Sequence, residues 1–542
     1  MKLILLSTAL VIMSLFSCES KKEIQKPNIL LIVADDLGYA DLGVYGSDIE
    51  TPNIDALARK GLIFTQFHTA VMCAPSRAML LTGNDNHVAG IGMQSPRGSY
   101  ADGMVGYEGY LSDRVVPLPQ LLKDAGYFTC TAGKWHVGEG AEHSPKAKGF
   151  TRSFNLLFGG GNHYNSIGLF ASDSVSQYRE DGELVEYPEG NYSTEFYTNK
   201  LMQYIAEANG QAKPFFAFAA YTSPHWPLQS PKEFDKYKGR YDMGYDSLRV
   251  LRLASLKKAG IIPQESTLPP RLDFIKPWDT LTEDEKKIES RKMELYAAMV
   301  DNLDHHVGRL VQFLKDKGLY ENTIIVFLSD NGAAAEDFFN HPSRGEFLRS
   351  KYDNSYANMG SPTSFVSYGP QWAQAGAAPF NRHKGFPTEG GITAPMIIHG
   401  KDIPENGSVS NVYCTIMDLA PTLLDVAGIQ YPGQYQSETI RPMKGETMMP
   451  FLSGKQATVH DENYWVGFEH RQYAYVRKGD WKIVNIQIPF DEKNLALYNL
   501  KQDPGETRDL AGEHIELYRE LVSLWKQYAE EVQVVFPKPQ PN

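Results

Sequence analysis

Two nearly continuous apolar segments, each followed by acidic or amide residues, constrain the fold of this chain most strongly. The segments are residues 28–33 (NILLIV) and 323–328 (TIIVFL), and the polar residues that follow them are Asp35, Asp36, Asp330 and Asn331. Runs of this kind are typical of strands buried on both faces, as in parallel sheets covered by helices. We therefore predict that both polar pairs emerge at the same edge of a central sheet.

Helix-like and strand-like segments alternate between these two runs. Residues 53–60, 118–125 and 291–316 are helix-like, whereas residues 127–131 and 215–220 are shorter, apolar and typical of strands. Such alternation indicates an α/β fold with a large mixed, mostly parallel sheet between helices. In folds of this class, ligands bind at the carboxyl ends of the strands.

The pattern changes beyond about residue 430. Three short strand-like segments precede one helix-like segment there, and they are residues 473–476, 481–488, 495–500 and 514–532. We predict a large N-terminal domain at 27–430 and a smaller α+β subdomain at 431–542, with a loose tail at 537–542. The polar stretch 231–278, which contains a predicted helix at 245–259, is interpreted as an insertion near the site.

The first residues have the pattern of an export signal. Lys2 precedes an apolar run at 3–16 that is too short to span a bilayer comfortably. The run ends in Leu-Phe-Ser-Cys, which resembles a bacterial lipoprotein cleavage box with Cys18 as the lipidated residue. We expect a signal peptide at 1–17, a polar tether at 18–26, and a lipid anchor that holds the protein in a membrane at the periplasm or cell surface. A secretory peptide with an incidental Cys18 is the alternative.

Composition limits the class of partner. The formal net charge is −12, which argues against nucleic acid as a partner. The four cysteines are too few and too scattered for a disulfide scaffold, and Cys130 and Cys414 lie in apolar stretches as expected of buried thiols. Because the net charge of the chain is negative, any site for an anionic substrate must carry local positive charge.

The remaining cysteine, Cys73, opens the segment CAPSRAMLLTG at residues 73–83. Pro75 suits a first helical turn, and Gly83 suits the end of a helix. Cys73 is then at a helix N-terminus, where free N–H groups and the helix dipole favour an anion, with the Arg77 cation one turn on. Taken alone, the segment is also compatible with a small buried cysteine that begins a core helix.

This segment resembles the modification motif of the type I formylglycine-dependent sulfatases, the arylsulfatase branch of the alkaline phosphatase superfamily. In that family the cysteine is oxidised to formylglycine, whose hydrate is the nucleophile. The resemblance implies the alkaline phosphatase-like sulfatase fold and maturation of Cys73 by a formylglycine-generating enzyme or an anaerobic maturase. It covers nearly the whole mature chain, including Thr-Pro-Asn-Ile-Asp at 51–55 and Gly-Asp-Trp-Lys at 479–482.

The polar residues after the two strands form an all-oxygen set of potential ligands: Asp35, Asp36, Asp330 and Asn331. Three carboxylates and one amide suit Ca²⁺ or Mg²⁺ rather than Zn²⁺. The resemblance implies that these residues, together with the modified Cys73, bind a divalent cation, usually Ca²⁺.

Cationic and ionisable residues occur in the order that the family shows. Lys134 and His136 are two apart, so an extended backbone would place both on one face. The resemblance assigns both residues, with Arg77, to the formylglycine and the sulfate. It assigns Lys384 to sulfate binding and His225 to the ester oxygen, where His225 would protonate the leaving alcohol. His136 would take a proton in the step that releases sulfate.

The implied reaction is hydrolysis of a sulfate monoester, with a sulfated carbohydrate or an aryl sulfate as substrate. Asn84, His87 and His163 are candidate contacts to the leaving group, although each is equally compatible with stabilising a loop. Thr393 occupies a position where many relatives carry Arg, so contacts to the leaving group are expected to differ there.

Two other functions remain open at this point. A phosphate or phosphonate monoester hydrolase of the same superfamily would have a similar metal site. The residues Lys134, His136, His225 and Lys384 nevertheless favour sulfate. A surface lipoprotein that binds glycans through an inactive site is a different class of function, and an unmodified Cys73 would favour it.

Overall fold

The computed structural model describes residues 26–401, 403–404 and 407–538. The predicted signal peptide and Cys18 lie outside the described residues, as does all but the start of the tail at 537–542, so these assignments stay predictions. Among the helices of the described ranges, none has the length and apolarity needed to cross a bilayer.

The described residues form the following strands: β1 (Asn28–Ala34), β2 (Leu62–Phe64), β3 (Phe67–His68), β4 (Phe128–Lys134), β5 (Arg152–Leu156), β6 (Ile167–Phe170), β7 (Asp173–Val175), β8 (Tyr178–Glu180), β9 (Glu183–Val185), β10 (Phe215–Ala220), β11 (Thr323–Ser329), β12 (Met396–His399), β13 (Ser408–Ser410), β14 (Cys414–Thr415), β15 (Gln434–Tyr435), β16 (Glu438–Thr439), β17 (Trp465–His470), β18 (Tyr473–Lys478), β19 (Trp481–Asn485) and β20 (Ala496–Asn499). The α-helices are α1 (Pro52–Arg59), α2 (Cys73–Thr82), α3 (Leu118–Asp124), α4 (Ser193–Gly210), α5 (Gly244–Lys258), α6 (Glu283–Asp316), α7 (Gly345–Lys351), α8 (Gly369–Gly376), α9 (Glu389–Ile392), α10 (Leu419–Val426), α11 (Met449–Leu452) and α12 (Ile515–Glu531).

The central sheet has ten strands in the order β13-β2-β12-β11-β1-β10-β4-β5-β8-β9. The five strands from β11 to β5 run parallel, and Ile29 of β1 lies between Ile324 of β11 and Phe216 of β10. Antiparallel pairings flank these five strands on both sides, and the edge strand β13 pairs parallel with β2. The predicted α/β fold with a mixed, mostly parallel sheet is therefore confirmed.

The position of β1 explains why its sequence is apolar throughout. Leu30 and Ile32 face a core that includes α4 and α6, whereas Ile29, Leu31 and Val33 face a second core that includes α2 and α3. All five side chains are fully buried. A strand covered on both faces cannot alternate apolar and polar residues, because either face would then place polar groups in a core.

The C-terminal sheet has the strand order β17-β18-β19-β20 and is antiparallel. Helix α12 packs on it through buried Leu521, Trp525 and Tyr528. The small α+β subdomain that the sequence indicates is therefore present. Strand β17 (Trp465–His470) was not predicted, and neither was the long helix α4.

A buried charge network, which we call the Lys482 network, joins the C-terminal sheet to the rest of the molecule. Lys482 Nζ lies 2.8 Å from Glu389 Oε1 and 2.9 Å from Glu506 Oε1. Glu389 Oε2 lies 2.7 Å from His68 Nε2, and its backbone N–H donates to Glu506 Oε2 over 2.7 Å. Because Glu389 follows Lys384 in the same loop, this network anchors the segment that carries Lys384.

The start of α6 differs from the sequence prediction. The helix begins at Glu283 rather than at residue 291, because Thr282 and Glu285 form a capping box. The backbone N–H of Glu285 donates to Thr282 Oγ1 over 3.2 Å, and Glu285 Oε2 accepts from the backbone N–H of Thr282 over 2.8 Å. The first turns are charged and exposed, so a cap rather than an apolar pattern determines where the helix begins.

Candidate active site

The polar residues after β1 and β11 meet at one edge of the central sheet, as predicted. The backbone N–H of Asp36 donates to Asp330 Oδ1 over 3.3 Å, and Asn331 Nδ2 donates to Asp36 Oδ1 over 2.7 Å. Asp35 belongs to the same fully buried group. Adjacent parallel strands end at the same edge, which is why two segments separated by about three hundred residues converge.

Cys73 faces this carboxylate group from the first turn of α2. Its Sγ lies 3.4 Å from Asp35 Oδ1 and 3.6 Å from Asp36 Oδ1. The helix ends at Gly83, whose φ of 64° is the left-handed conformation that glycine adopts easily. Burial raises the pKa of the Cys73 thiol well above its ordinary value, and the Asp330 carboxylate adds to the effect. The unmodified thiol is therefore neutral and a weak nucleophile.

Arg77, one turn along α2, connects two of the strand ends. Its Nε donates to Asp330 Oδ2 over 2.9 Å, and its Nη1 donates to the carbonyl oxygen of Lys134 over 2.9 Å. The side chain is fully buried. Arg77 thus links the ends of β11 and β4 beneath Cys73.

Two lysines each contact one carboxylate of the aspartate pair. Lys134 Nζ lies 2.8 and 2.7 Å from the two oxygens of Asp35, and Lys384 Nζ lies 2.7 and 2.8 Å from those of Asp36. Burial by itself raises the pKa of Asp36, but the charge of Lys384, assisted by His225 and Lys134, holds that pKa below its ordinary value. The two lysines supply the local positive charge that the sequence analysis required.

His225 approaches the aspartate pair from the loop after β10. Its Nε2 lies 3.5 Å from Asp36 Oδ2, and its Nδ1 lies 2.6 Å from the carbonyl oxygen of Trp226. Because a carbonyl oxygen only accepts, Nδ1 carries the proton of the neutral ring. Burial lowers the pKa of His225 to about 3.

His136 reaches the site through a different backbone conformation from the one predicted. Strand β4 ends at Lys134, and His136 has a φ of 63°, so the extended backbone does not continue to it. His136 is nevertheless close enough that, after burial, the charges of Lys134 and Arg77 lower its pKa further below the ordinary value. Its Nδ1 is buried without a hydrogen-bond partner among the described residues.

Several side chains of the site together could hold a metal ion. One potential ligand atom from each of Asp35, Asp36, Cys73 and His225 lies within 4.8 Å of the others. Asn331 uses its amide N–H₂ for Asp36, while its Oδ1 is buried with no hydrogen-bond partner among the described residues. An unpartnered amide oxygen beside carboxylates provides the kind of ligand that Ca²⁺ and Mg²⁺ take.

For three candidate contacts to the leaving group, the structure favours the alternative role of stabilising a loop. Asn84 Nδ2 donates to the carbonyl oxygen of Pro442 over 2.9 Å. His87 is held between two carboxylates, those of Asp85 at 3.2 Å and Glu469 at 3.0 Å. Both side chains therefore bind protein groups. The Nε2 atom of the third candidate, His163, lies 3.1 Å from the carbonyl oxygen of His225. His163 therefore contacts the backbone of that residue.

Thr393 also lies away from the site. Its Oγ1 donates to Glu389 Oε2 over 3.1 Å, so it belongs to the surroundings of the Lys482 network.

Sequence reasoning also missed two features of the site. Gly159 and Gly160 lie against the rings of His136 and His225, and the run of three glycines at 159–161 is the signal that indicates such close approach. Glu336 beside Lys384 carried no local signal.

Comparison with known proteins identifies the family of the chain. A sequence model of the family described as Sulfatase matches residues 27–429, and one described as N-sulphoglucosamine sulphohydrolase, C-terminal, matches residues 382–533. The chain belongs to the sulfatase family. It is a sulfuric ester hydrolase with the alkaline phosphatase-like sulfatase fold.

Relatives of this chain span most of its length. It is 41% identical to an uncharacterized sulfatase of Schizosaccharomyces pombe, over 95% of each chain. It is 40% identical to the arylsulfatase of Klebsiella aerogenes, over 80% of this chain and 93% of that protein. The solved structure of Ps i-CgsB in complex with k-i-k-neocarrahexaose superposes with a TM-score of 0.66 at 25% identity, over 93% of each chain.

Proposed function

We propose that this protein hydrolyses a sulfate monoester of a carbohydrate or aryl alcohol through a formylglycine residue made from Cys73, with a divalent cation bound beside it. The observation that carries the proposal is the position of Cys73. Its Sγ lies 3.4 and 3.6 Å from the carboxylates of Asp35 and Asp36, which Lys134 and Lys384 contact from either side. No such constellation is needed for a structural cysteine in a core helix.

The proposed modification agrees with the chemistry of the position. Burial and the neighbouring Asp330 carboxylate disfavour a thiolate at Cys73. The hydrate of a formylglycine supplies an oxygen nucleophile at this position, and a cation held by Asp35, Asp36, Asp330 and Asn331 supplies electrostatic stabilisation of the sulfuryl oxygens. Ca²⁺ is the cation that we propose, with Mg²⁺ as the alternative.

The protein's own cations have distinct proposed roles. Lys134 and Lys384 each contact a different carboxylate of the aspartate pair, and we assign them to the charge on the sulfuryl oxygens. Arg77 holds Asp330 and the end of β4, and we assign it to the orientation of the nucleophile. This arrangement places several positive charges in a buried site, where electrostatic interactions are strong.

The two histidines differ in which ring nitrogen is available to exchange a proton. The Nδ1 proton of His225 is committed to the Trp226 carbonyl, so Nε2 is the atom that exchanges a proton with the leaving oxygen. The negative charge of a bound sulfate ester favours protonation of this ring. His136 is neutral and has a free Nδ1, so we assign it as the base in the step that releases sulfate.

Two further parts of the proposal concern the substrate and the cellular location of the enzyme. The proposal that the substrate is a sulfated carbohydrate is supported by relatives named N-acetylgalactosamine-6-sulfatase, such as the 28% identical protein of Canis lupus familiaris. The leader sequence supports a lipid anchor at Cys18 and a periplasmic or surface position. A protein in that position would meet sulfated glycans from outside the cell.

The test is Cys73→Ala in a host that forms formylglycine, with Cys130→Ala as the matched control, because Cys130 is also buried but lies inside β4. Cys73→Ala should lose sulfate release while its thermal unfolding stays near that of the wild type, and Cys130→Ala should keep activity. Mass spectrometry of the Cys73 peptide should find the formyl residue. Undiminished sulfate release by Cys73→Ala would refute the proposal.

The same assay separates sulfate from phosphate chemistry. Paired sulfate and phosphate esters of one alcohol, given to the wild type, should show preferential turnover of the sulfate ester. Preferential turnover of the phosphate ester would favour the phosphatase function, and an unmodified Cys73 with no turnover would favour the glycan-binding function.

A further inference from the structure

Glu336 is a carboxylate at the site that the proposed reaction does not use. Its Oε1 lies 4.0 Å from Lys384 Nζ, and its side chain is about a quarter exposed. Its Oε2 is buried and has no hydrogen-bond partner among the described residues. A buried carboxylate oxygen without a donor is costly, so such an atom is a place where a ligand donor can be accommodated.

A chain of aromatic rings forms a wall that connects the two histidines of the site. Successive ring centroids are separated by 6.0 Å from His136 to Phe158, 6.4 Å from Phe158 to Phe170, 5.6 Å from Phe170 to Phe338, 5.0 Å from Phe338 to Trp226 and 4.1 Å from Trp226 to His225. We call this set the aromatic arc. Its three phenylalanines are only partly buried.

One end of the arc is His225, which we have assigned to the leaving oxygen. Trp226 and Phe338 follow His225 in the arc, so a leaving group held by His225 would lie near these rings. Apolar rings at the wall of a pocket, with a small number of polar groups that fix orientation, are typical of sites for ring-shaped ligands. Glu336 precedes Phe338 by two residues, so the carboxylate and the arc belong to the same loop.

The two features together select among the classes of leaving group. An aryl ring can pack on the arc but offers no hydroxyl to Glu336. A sugar ring offers both a C–H face for the arc and hydroxyl donors for the free Glu336 oxygen. The negative charge of Glu336 also disfavours a second anionic group at that point, because a like charge there would be desolvated and unpaired.

We propose that Glu336 is a specificity-determining residue that accepts a hydrogen bond from a hydroxyl of a saccharide leaving group packed against the aromatic arc. The natural substrate is therefore a sulfated sugar with a free hydroxyl near the scissile ester rather than an aryl sulfate. This inference rests on the proposed function, since it names the leaving group of that same reaction.

The experiment compares two substrate classes in four proteins. The substrates are a panel of regiodefined sulfated monosaccharides and 4-nitrophenyl sulfate. The proteins are the wild type, Glu336→Ala, Glu336→Gln and Glu346→Gln, all carrying formylglycine. Glu336→Ala removes the acceptor, whereas Glu336→Gln keeps an acceptor without the charge. Glu346 is an exposed glutamate of the same segment and provides the matched control.

Glu336→Ala should lose roughly 10- to 100-fold in kcat/KM on the preferred sugar sulfate, the usual effect of a hydrogen bond to a charged group. Its turnover of 4-nitrophenyl sulfate should fall clearly less than its turnover of the sugar sulfate, because that substrate offers no hydroxyl to Glu336. Glu336→Gln should lose less on the sugar sulfate than Glu336→Ala. Glu346→Gln should behave as the wild type with both substrates.

A second measurement tests the contact itself. We expect that the wild type turns over one monodeoxy analogue of the preferred sugar sulfate with a reduced kcat/KM. This reduction should be similar to the one that Glu336→Ala causes with the full sugar sulfate. With that analogue, Glu336→Ala should cause little further loss, because the contact is already absent.

Three results would overturn the inference. Equal losses on the sugar sulfate and on 4-nitrophenyl sulfate would mean that Glu336 acts only through Lys384. Turnover of 4-nitrophenyl sulfate without turnover of any sugar sulfate would refute the saccharide leaving group while leaving the proposed function intact. Failure to release sulfate from every ester in the presence of formylglycine would refute the proposed function, and this inference with it.

Discussion

Gly159 lies so close to the imidazole ring of His136 that a Cβ at this position would be 2.7 Å from His136 Cε1. The adjacent Gly160 has the same relationship to His225, with 3.0 Å between its Cβ position and His225 Cε1. The glycine run after β5 therefore shapes the positions of both histidines to which we assign proton transfer. Neither glycine has a positive φ, so the constraint is close approach and not backbone strain.

Gly159→Ala should reduce activity far more than stability. The atoms in the way are at the end of the His136 side chain, which can turn aside at little cost to the fold, but the ring then leaves its position. We expect kcat to fall roughly 10- to 100-fold, which is at or below the roughly 100- to 10,000-fold contribution of a positioned base, with a change in unfolding free energy of about 1 kcal/mol or less. Steady-state kinetics and thermal unfolding would measure both effects.

Gly210→Ala is the control for this prediction, because a Cβ at Gly210 would meet no atom within 4 Å. It should leave kcat unchanged. In a His136→Ala background, Gly159→Ala should have little further effect on kcat. A full additional loss in that background would show that Gly159 acts independently of His136.

Calcium should stabilise the protein through Asn331. In the wild type, Ca²⁺ at about one hundred times its dissociation constant should raise the free energy of unfolding by about 2.7 kcal/mol. Asn331→Ala removes the unpartnered Oδ1 and should greatly reduce this gain. Thermal unfolding with Ca²⁺, Mg²⁺ or a chelator would measure it.

Asn340→Ala is the matched variant for the calcium experiment, since Asn340 is an exposed amide that contacts only Asp337 in the described part of the chain. It should keep the full response to Ca²⁺. An unchanged calcium response in Asn331→Ala would exclude this amide as a ligand.

His87 should make stability depend on pH above neutrality. Burial alone would lower its pKa, but Asp85 and Glu469 outweigh burial and raise the pKa from 6.5 to about 9. A raised folded-state pKa contributes stability that is fully present below about pH 6.5 and is lost as the pH rises through about 9. The shift corresponds to roughly 3 kcal/mol.

The comparison of wild type with His87→Gln isolates this contribution. The difference in unfolding free energy should be largest at pH 6 and should shrink as the pH approaches 9 to 10, as measured by denaturant titration at several pH values. His305→Gln, which changes an exposed histidine, should follow the wild type at every pH. A difference for His87→Gln that does not vary with pH would show that the ring is not charged.

Lys482→Met should destabilise the protein by about 3–5 kcal/mol, the usual cost of leaving buried carboxylates without their cation. The fully buried Lys482 lies between Glu389 and Glu506, and Met would preserve much of its shape but not its charge. Chemical denaturation would measure the loss.

Two further variants test the physical reason. Glu506→Gln in the Lys482→Met background should recover part of the stability, because one unpaired carboxylate is removed. Lys478→Met, which removes a partly exposed lysine from its pair with Glu520, should cost 1 kcal/mol or less. A cost of similar size for Lys478→Met and Lys482→Met would mean that burial of the network is unimportant.

Much of the fold and the centre of the site could be predicted from the sequence because their signals are local. The apolar runs of β1 and β11 predict buried parallel strands, and the polar pairs that follow them must then meet at one sheet edge. Pro75 lies in the first turn of the helix that presents Cys73, and Gly83 follows its last residue. In these cases secondary structure and chain direction alone determine where a side chain emerges.

The rest depended on contacts between segments distant in sequence. Only tertiary structure decides that His87 binds two carboxylates, that His163 lies behind His225, and that His136 turns into the site through a left-handed backbone. The same is true of Glu336, whose unpartnered oxygen matters only because Lys384 lies beside it. The sequence by itself determined the buried parallel strands and the Cys73 helix, since these follow from local periodicity and capping, whereas the roles of the reacting residues came from the resemblance to the family. The folded structure decided which polar side chains lie beside the aspartate pair and which face the core, because that choice depends on partners that no local pattern encodes.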